Sequence, residues 1–260
     1  MKEKVSRIIF TFLIIGVIIF QFAVFSRATD NISNTLICWG LKRADENKQP
    51  TLDSNSLKIL EKYNGISMGS QESNSIYLTF DLGYEAGYTS QILDVLKEND
   101  VKAVFFITGH YLNSEPELVK RMIEEGHIVG NHTVNHKSLA DLSDEEIEKE
   151  IMDLHNALYE KLGYEMTYFR PPKGEFSERV LKIAHDLGYT AVLWSNAYDD
   201  WDENNQGRED YGKAKILDNL HNGCVLLLHG TSKDNANILD YVIKEAINKG
   251  YEFKSLDEFE

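Results

Sequence analysis

From Ser75 to the end of the chain, short apolar runs alternate with amphipathic stretches. The runs Ile76 to Phe80, Ala103 to Thr108, His127 to Gly130, Tyr168 to Arg170, Thr190 to Trp194, Cys224 to His229 and Tyr251 to Lys254 predict strands. They are short, rich in β-branched or aromatic residues and bounded by turn residues. Between them, Ser90 to Lys97, Pro116 to Glu125, Lys213 to Leu220 and Ile238 to Lys249 predict helices, the last stopped by Gly250. The sharpest helix signal starts at Ser143. With Glu146 it makes a capping box, and Ile147, Ile151, Leu154 and Leu158 follow at helical spacing. Ser177 predicts the cap of a helix through Leu187. Pro171 ends the fourth strand, because proline brings no N–H to a ladder. Repeated βα units imply an α/β fold with a parallel sheet, open or closed into a barrel, and chemistry at the C-terminal strand ends.

The chain before Ser75 reads differently. Residues 27–74 form a polar lead-in with Trp39, a short helix from Ser56 to Tyr63, and a Gly/Ser/Asn-rich stretch after it. This predicts a linker and packing arm. Residues 1–26 read as a targeting segment: Lys2, Lys4 and Arg7 precede 18 residues, Ile8 to Phe25, that are apolar except for Thr11, Gly16 and Gln21. That length suits either a cleaved signal peptide or an uncleaved membrane anchor, and both readings stay open. The positive flank remains cytoplasmic, so the rest of the chain is expected outside, anchored or secreted.

Composition narrows the partners. With 27 Lys plus Arg against 42 Asp plus Glu, the formal charge over 260 residues is −15, which excludes nucleic acid as a natural partner. The two cysteines, Cys38 and Cys224, have no CxxC spacing and are expected to be unrelated thiols.

Five segments carry candidate chemistry: Thr79 to Glu85, His132 to His136, Arg170 to Gly174, Asp200-Trp201, and Leu226 to His229. Asp81, Arg170, Asp200 and His229 fall at or just beyond strand C-termini. His132 and His136, four apart on a helical turn or the loop leading into one, can share a cation. Taken alone, the pair reads better as one core and one surface histidine; its place after a strand favours the metal. Asp81 ends an apolar strand, and a bidentate contact from Arg170 would keep it ionised as a general base. Taken alone, that pair is a structural salt bridge. His229 needs a partner, and Asp200 would raise its pKa so that it acts as a general acid. His155, His185 and His221 read as surface or capping residues, and His110 and His127 as groups near the mouth. Together the residues give the inventory of a metal-assisted hydrolase.

These segments resemble the polysaccharide deacetylase, or NodB-homology, family over Ser75 to Glu260, in the motifs TFD, HxxxH, RPPxG, DW and LxH. Within it, Asp81 to Thr89, Asn204-Asn205-Gln206 and Lys233 to Ala236 look similar to the δ-lactam-biosynthetic N-acetylmuramic acid deacetylases of spore formers. The resemblance implies a catalytic domain over 75–260 with a distorted seven-stranded (β/α) barrel. It implies peptidoglycan glycan strands as substrate, acetyl removal from muramic acid, and closure of the freed amine to muramic δ-lactam in spore cortex. It implies a divalent metal on His132 and His136: zinc first, with cobalt, nickel or manganese also accepted by two imidazoles. Tyr84, by a nearby backbone N–H, would stabilise the oxyanion, and Trp201 and Leu227 would hold the acetyl methyl. Two departures stand out. Leu82 occupies the position where the wider family has a metal-binding Asp, so weaker metal binding is expected, with Asp81 or Glu85 helping. Ala197 replaces the earlier Asp of the DxxDW motif. A deacetylase of another wall or chitin-like glycan, and a non-catalytic glycan-binding barrel, are the alternatives.

Overall fold

The protein's structure, a computed structural model, describes residues 32–44 and 47–260. The targeting segment expected over residues 1–26 lies outside the described residues. The lead-in supplies three two-residue strands, β1 (Ile37–Cys38), β2 (Leu41–Lys42) and β3 (Thr51–Leu52), and helix α1 (Ser54–Lys62). Alternating elements follow: β4 (Ser75–Leu82), α2 (Thr89–Glu98), β5 (Ala103–Ile107), α3 (Gly109–Ser114), α4 (Pro116–Glu124), β6 (Ile128–Asn131), α5 (Asp144–Leu162) and β7 (Tyr168–Phe169). The chain ends with β8 (Glu175–Phe176), α6 (Glu178–Asp186), β9 (Thr190–Ala191), α7 (Glu209–Leu217), β10 (Cys224–His229), α8 (Lys233–Asn248) and β11 (Glu252–Phe253). Among the described residues no helix is long and apolar enough to cross a membrane.

The main sheet runs β10-β4-β5-β6-β7-β9, all parallel, with β11 added to β4. Beyond β9 the chain reaches back to β10. Ser195 and Asn196 each donate an N–H to Val225 O, at 3.0 and 3.2 Å, and Leu227 N donates to Asn196 O at 2.9 Å. The seven strands therefore curl into the distorted barrel that the motifs implied. The expected strand Thr190 to Trp194 is regular only over its first two residues; the rest joins its neighbours through single bridges such as Ile66 to Val192.

Strand alternation sorts the layers. Ile76, Leu78, Phe80 and Leu82 pack outward with Ile92, Leu93, Leu239 and Ile243 of the helices. Tyr77, Val104, Phe106, Val192 and Val225 fill the barrel. Thr79 and Asp81 share Tyr77's face by the period of two, so Asp81 looks inward at the mouth. Leu82, fully buried, looks the other way, against Gly230. On α5 the capping box forms as expected, Gly163 closes the helix at φ 66°, and Ile147, Ile151, Leu154 and Leu158 are buried. Each contributes about 1.5–3 kcal/mol relative to exposure.

Three helices depart from expectation. α7 begins at Glu209, four residues early, because Gly212 sits against Tyr198 and Ile238 inside the helix. α8 begins at Lys233, where Ser232 Oγ accepts from Asn235 N at 3.2 Å; its first turn is polar yet buried, which apolar periodicity does not register. α3 is an added short helix capped by Thr108. The lead-in is well docked: Trp39 is buried and donates Nε1–H to Trp194 O at 2.9 Å, and β1 pairs with β8.

Candidate active site

A cleft of about 1160 Å³ opens at the C-terminal ends of the strands. Asp81, Tyr84, His132, His136, Trp201, Leu227 and His229 line it, so seven of the nine expected residues face one space. Arg170 and Asp200 lie directly behind it, each bonded to a lining residue.

Arg170 is fully buried for a reason visible in its bonds. Nη1 donates to Asp81 Oδ1 at 2.7 Å, Nη2 to Thr79 Oγ1 at 2.9 Å, and Nε to Val192 O at 3.0 Å; the guanidinium lies 4.2 Å from the Phe106 ring centre. The expected bidentate grip on Asp81 is thus corrected. Thr79, two residues back on the same strand face, takes the second arm. Asp81 Oδ2 is left for other partners. Burial alone would push the Asp81 carboxyl up, but the Arg170 guanidinium, helped by His132 and His229, overrides it and holds the group below the ordinary carboxylate range.

His132 Nδ1–H donates to Arg170 O at 2.8 Å, so its bare Nε2 points at Asp81 Oδ2 across 3.5 Å. Burial pushes its pKa down to about 4, against the pull of Asp81, so the ring is neutral at pH 7. His136 stands with its ring centre 4.8 Å from that of His132, and among the described residues its ring makes no hydrogen bond. Of the two expected placements, a helical turn or the loop leading into one, the histidines take a loop. Thr133 and His136 have φ of 67° and 55°, a left-handed backbone that the loop's bonds must hold.

Glu150 of α5 holds it, and the sequence reading missed this residue. Its buried carboxylate accepts from Asn135 N and Asn135 Nδ2, both at 2.8 Å, and pairs with Lys137 at 3.3 Å. Its carbonyl accepts from Val134 N at 3.0 Å. The available signal was an acid on the apolar stripe of α5, between Ile147 and Ile151.

Opposite, Asp200 Oδ1 accepts from His229 Nδ1 at 2.8 Å, and Oδ2 accepts from His229 N at 2.7 Å and Asn235 Nδ2 at 2.6 Å. Asn235 Nδ2 also reaches His229 O at 3.0 Å, which explains the buried polar turn of α8. Burial works against a charged imidazole here, but the Asp200 charge and hydrogen bond outweigh it and raise the His229 pKa. Nε2 is the ring nitrogen left for the cleft.

Other expectations are corrected. Glu85 gives no help to a metal: its carboxylate accepts from Gly87 N, Thr89 N and Tyr111 OH, and so fixes the entry to α2. His127 is buried away from the mouth, where Nδ1 accepts from Ala103 N at the start of β5. His221 is buried too, with Nδ1 donating to Asn222 O, and is not a surface residue. Trp201 is 63% exposed, so it stands on the rim and leaves the deep wall to Leu227, which is 4% exposed. His110 does line the cleft, and Cys38 and Cys224 are both free.

Comparison with known proteins agrees with this geometry. Residues 68–192 match the family model for polysaccharide deacetylases. The peptidoglycan-N-acetylmuramic acid deacetylase PdaA of Bacillus subtilis is 41% identical over 87% of this chain and 87% of its own. The chain belongs to the polysaccharide deacetylase family. The solved structure of PdaA, a family 4 carbohydrate esterase, superposes with a TM-score of 0.85 over 88% of this chain and 98% of that one. A peptidoglycan-N-acetylglucosamine deacetylase of Bacillus cereus is 37% identical over 70% of this chain and 86% of its own. A pseudoenzyme of the same esterase family from Bacillus anthracis is also similar, at 26% identity and a TM-score of 0.70 over 75% of this chain and 68% of that one. The barrel alone therefore does not carry activity. This deacetylase keeps Asp81, His132, His136, Arg170, Asp200 and His229 together.

Deacetylases of this family generally depend on a metal. The donor set fits a divalent cation. Asp81 Oδ2 and His132 Nε2 are both acceptors, facing each other without a proton between them, and the His136 ring lies beside them. A cation relieves that opposition of lone pairs. Among the described residues no three His, Cys, Asp or Glu side chains form a metal-holding group. The His132 and His136 imidazoles would hold it, with Asp81 Oδ2 beside them and Leu82 turned into the helix layer.

Proposed function

We propose that this deacetylase hydrolyses the N-acetyl group of muramic acid in peptidoglycan glycan strands, outside the cytoplasm. The observation that carries the choice of sugar is Lys173. Among the described residues it is the one Lys or Arg lining the cleft, exposed there and held at φ 60° by the turn after Pro172. Muramic acid differs from glucosamine by a lactyl ether ending in a carboxylate, and an ammonium at the cleft wall is its charge complement. The 41% identity to the Bacillus subtilis N-acetylmuramic acid deacetylase supports the same reading.

The chain's residues divide the work. Asp81 Oδ2, ionised because Arg170 holds Oδ1, accepts the proton of the attacking water. His132 and His136 would hold a divalent cation, whose chemistry there would be to polarise the acetyl carbonyl and acidify water. A backbone N–H near Tyr84 faces the developing oxyanion. Leu227 takes the acetyl methyl. His229, kept protonated by Asp200, delivers its proton to the sugar nitrogen as the C–N bond breaks, so acetate and a free amine leave. That amine lies on the same sugar as the lactyl carboxylate, which is the pairing a muramic δ-lactam of spore cortex requires. Residues 1–26 would bring the enzyme to the wall as an anchor or a cleaved signal.

The test is mass spectrometry of glycan strands after incubation with the full chain and zinc. Acetyl loss from muramic acid of peptide-stripped strands, greater than from stem-peptide-bearing strands or chitin oligomers, is the expected result. Acetyl loss confined to glucosamine residues overturns the choice of sugar.

A further inference from the structure

Next to the cleft lies a second, shallower hollow of about 350 Å³. The two share Trp194, Ala197, Tyr198 and Trp201 as a dividing ridge. Its outer side comes from Arg43 of the lead-in and from Tyr211 and Lys215 of α7.

Two cations line it. Arg43 Nη2 donates to Ala197 O at 2.6 Å, and Lys215 Nζ sits 5.3 Å from the Tyr211 ring centre. Among the described residues neither cation has a carboxylate partner. Among the described residues Asp199 is the one acidic residue of the hollow, and it is already taken by Arg208 Nη1 at 3.0 Å and Tyr211 OH at 2.9 Å. Lys62, Lys149, Lys182 and Lys244 each sit against a carboxylate, whereas Arg43 and Lys215 line one hollow together. On a chain of formal charge −15, two such cations in one hollow mark an anion's place.

Its surface suits a sugar. Trp201 is 63% exposed at the ridge, with a broad apolar face turned to solvent beside the deep cleft. Arg208 and Lys215 both lie near the Tyr211 ring, at 4.7 and 5.3 Å. The lead-in completes the hollow through its own bonds, Trp39 Nε1 to Trp194 O and Arg43 to Ala197 O.

We propose that this hollow is a second saccharide site, taking a carboxylate-bearing sugar of the neighbouring repeat of the strand whose acetyl group sits in the cleft. The inference rests on the reading of a muramic glycan as substrate. Arg43 and Lys215 meet the carboxylate, and the strand crosses the ridge over Trp201. The lead-in thereby becomes part of the binding surface, and strands of two or more repeats are held better than one repeat.

Equilibrium binding of the full chain to peptide-stripped strands tests this, alongside the same strands with carboxyls reduced to alcohols and a single disaccharide repeat. The variant is Arg43→Ala with Lys215→Ala, two surface changes whose folding is checked by thermal melting. We expect a Kd for native strands about fivefold to tenfold higher in the variant, the scale of two rim charge contacts. Its Kd for reduced strands should equal that of the unaltered protein, and disaccharide binding should not change. Equal binding of native strands by both proteins overturns the inference, as does an equal loss on the disaccharide. If acetyl loss from muramic acid is absent while the charge-dependent binding persists, the reading of the reaction fails and the second site stands.

Discussion

Asp200→Asn removes one charge and almost no volume from the base of the site. In the native protein the buried carboxylate accepts three hydrogen bonds, at 2.8 Å from His229 Nδ1, 2.7 Å from His229 N and 2.6 Å from Asn235 Nδ2. A hydrogen bond to a charged group is worth about 1.5–3 kcal/mol. That energy favours the protonated ring, so losing the charge lowers the His229 pKa, and at about 1.4 kcal/mol per factor of ten it amounts to about 10- to 100-fold in the protonation equilibrium. Burial, now unopposed by Asp200, pulls the same way. A general acid works below its own pKa, so the alkaline limb of the pH–rate profile moves toward acid. At a pH above both values the rate falls by about 10- to 100-fold, and below both it falls much less. The new amide also turns N–H groups toward donors, costing about 1–3 kcal/mol of stability. Acetate release measured across pH, with an NMR titration of the His229 ring, checks the shift. An alkaline limb that stays in place while the rate drops evenly across pH would refute this role of Asp200.

Arg170→Met leaves Asp81 buried without its cation, so its pKa rises and the acid limb moves to higher pH. Breaking such a buried pair costs about 3–5 kcal/mol at neutral pH. The depressed Asp81 pKa means that its stabilising share is present above the unfolded carboxylate value and lost as pH falls through the folded one, so urea titrations should show a smaller gap between the two proteins in acid. Glu150→Gln swaps an acceptor for an amide opposite Asn135 N and Nδ2, loosening the loop of His132 and His136. Zinc affinity, read with a chromophoric competitor, should fall about 10- to 100-fold; unchanged affinity would show that the loop holds itself. Dialysis against a chelator should abolish acetate release, and added zinc or cobalt should restore it. Retention of stoichiometric metal after dialysis would contradict a site with two protein imidazoles.

The parallel sheet was legible because βα alternation is a local signal, and because Asp81, Arg170 and His229 each end a recognisable strand; its closing into a barrel came only with the motif resemblance. Local pattern did not reveal what depends on burial of polar groups. The first turn of α8 reads as a loop until Asn235 is seen holding Asp200 and His229. Glu150 reads as surface until its place on the buried stripe of α5 meets Asn135. The second arm of Arg170 goes to Thr79 because residues two apart share a strand face, a detail that a motif match does not carry. His127 and His221 fall near candidate segments in sequence, yet the fold buries both away from the cleft.

X-ray absorption at the zinc edge addresses the convergence of these groups most directly. For the zinc-loaded full chain the account predicts two imidazole nitrogens at about 2.0–2.1 Å with oxygen ligands filling the shell. The count should fall to one imidazole in His132→Ala and likewise in His136→Ala. A shell without imidazole, or one that neither substitution alters, would contradict it.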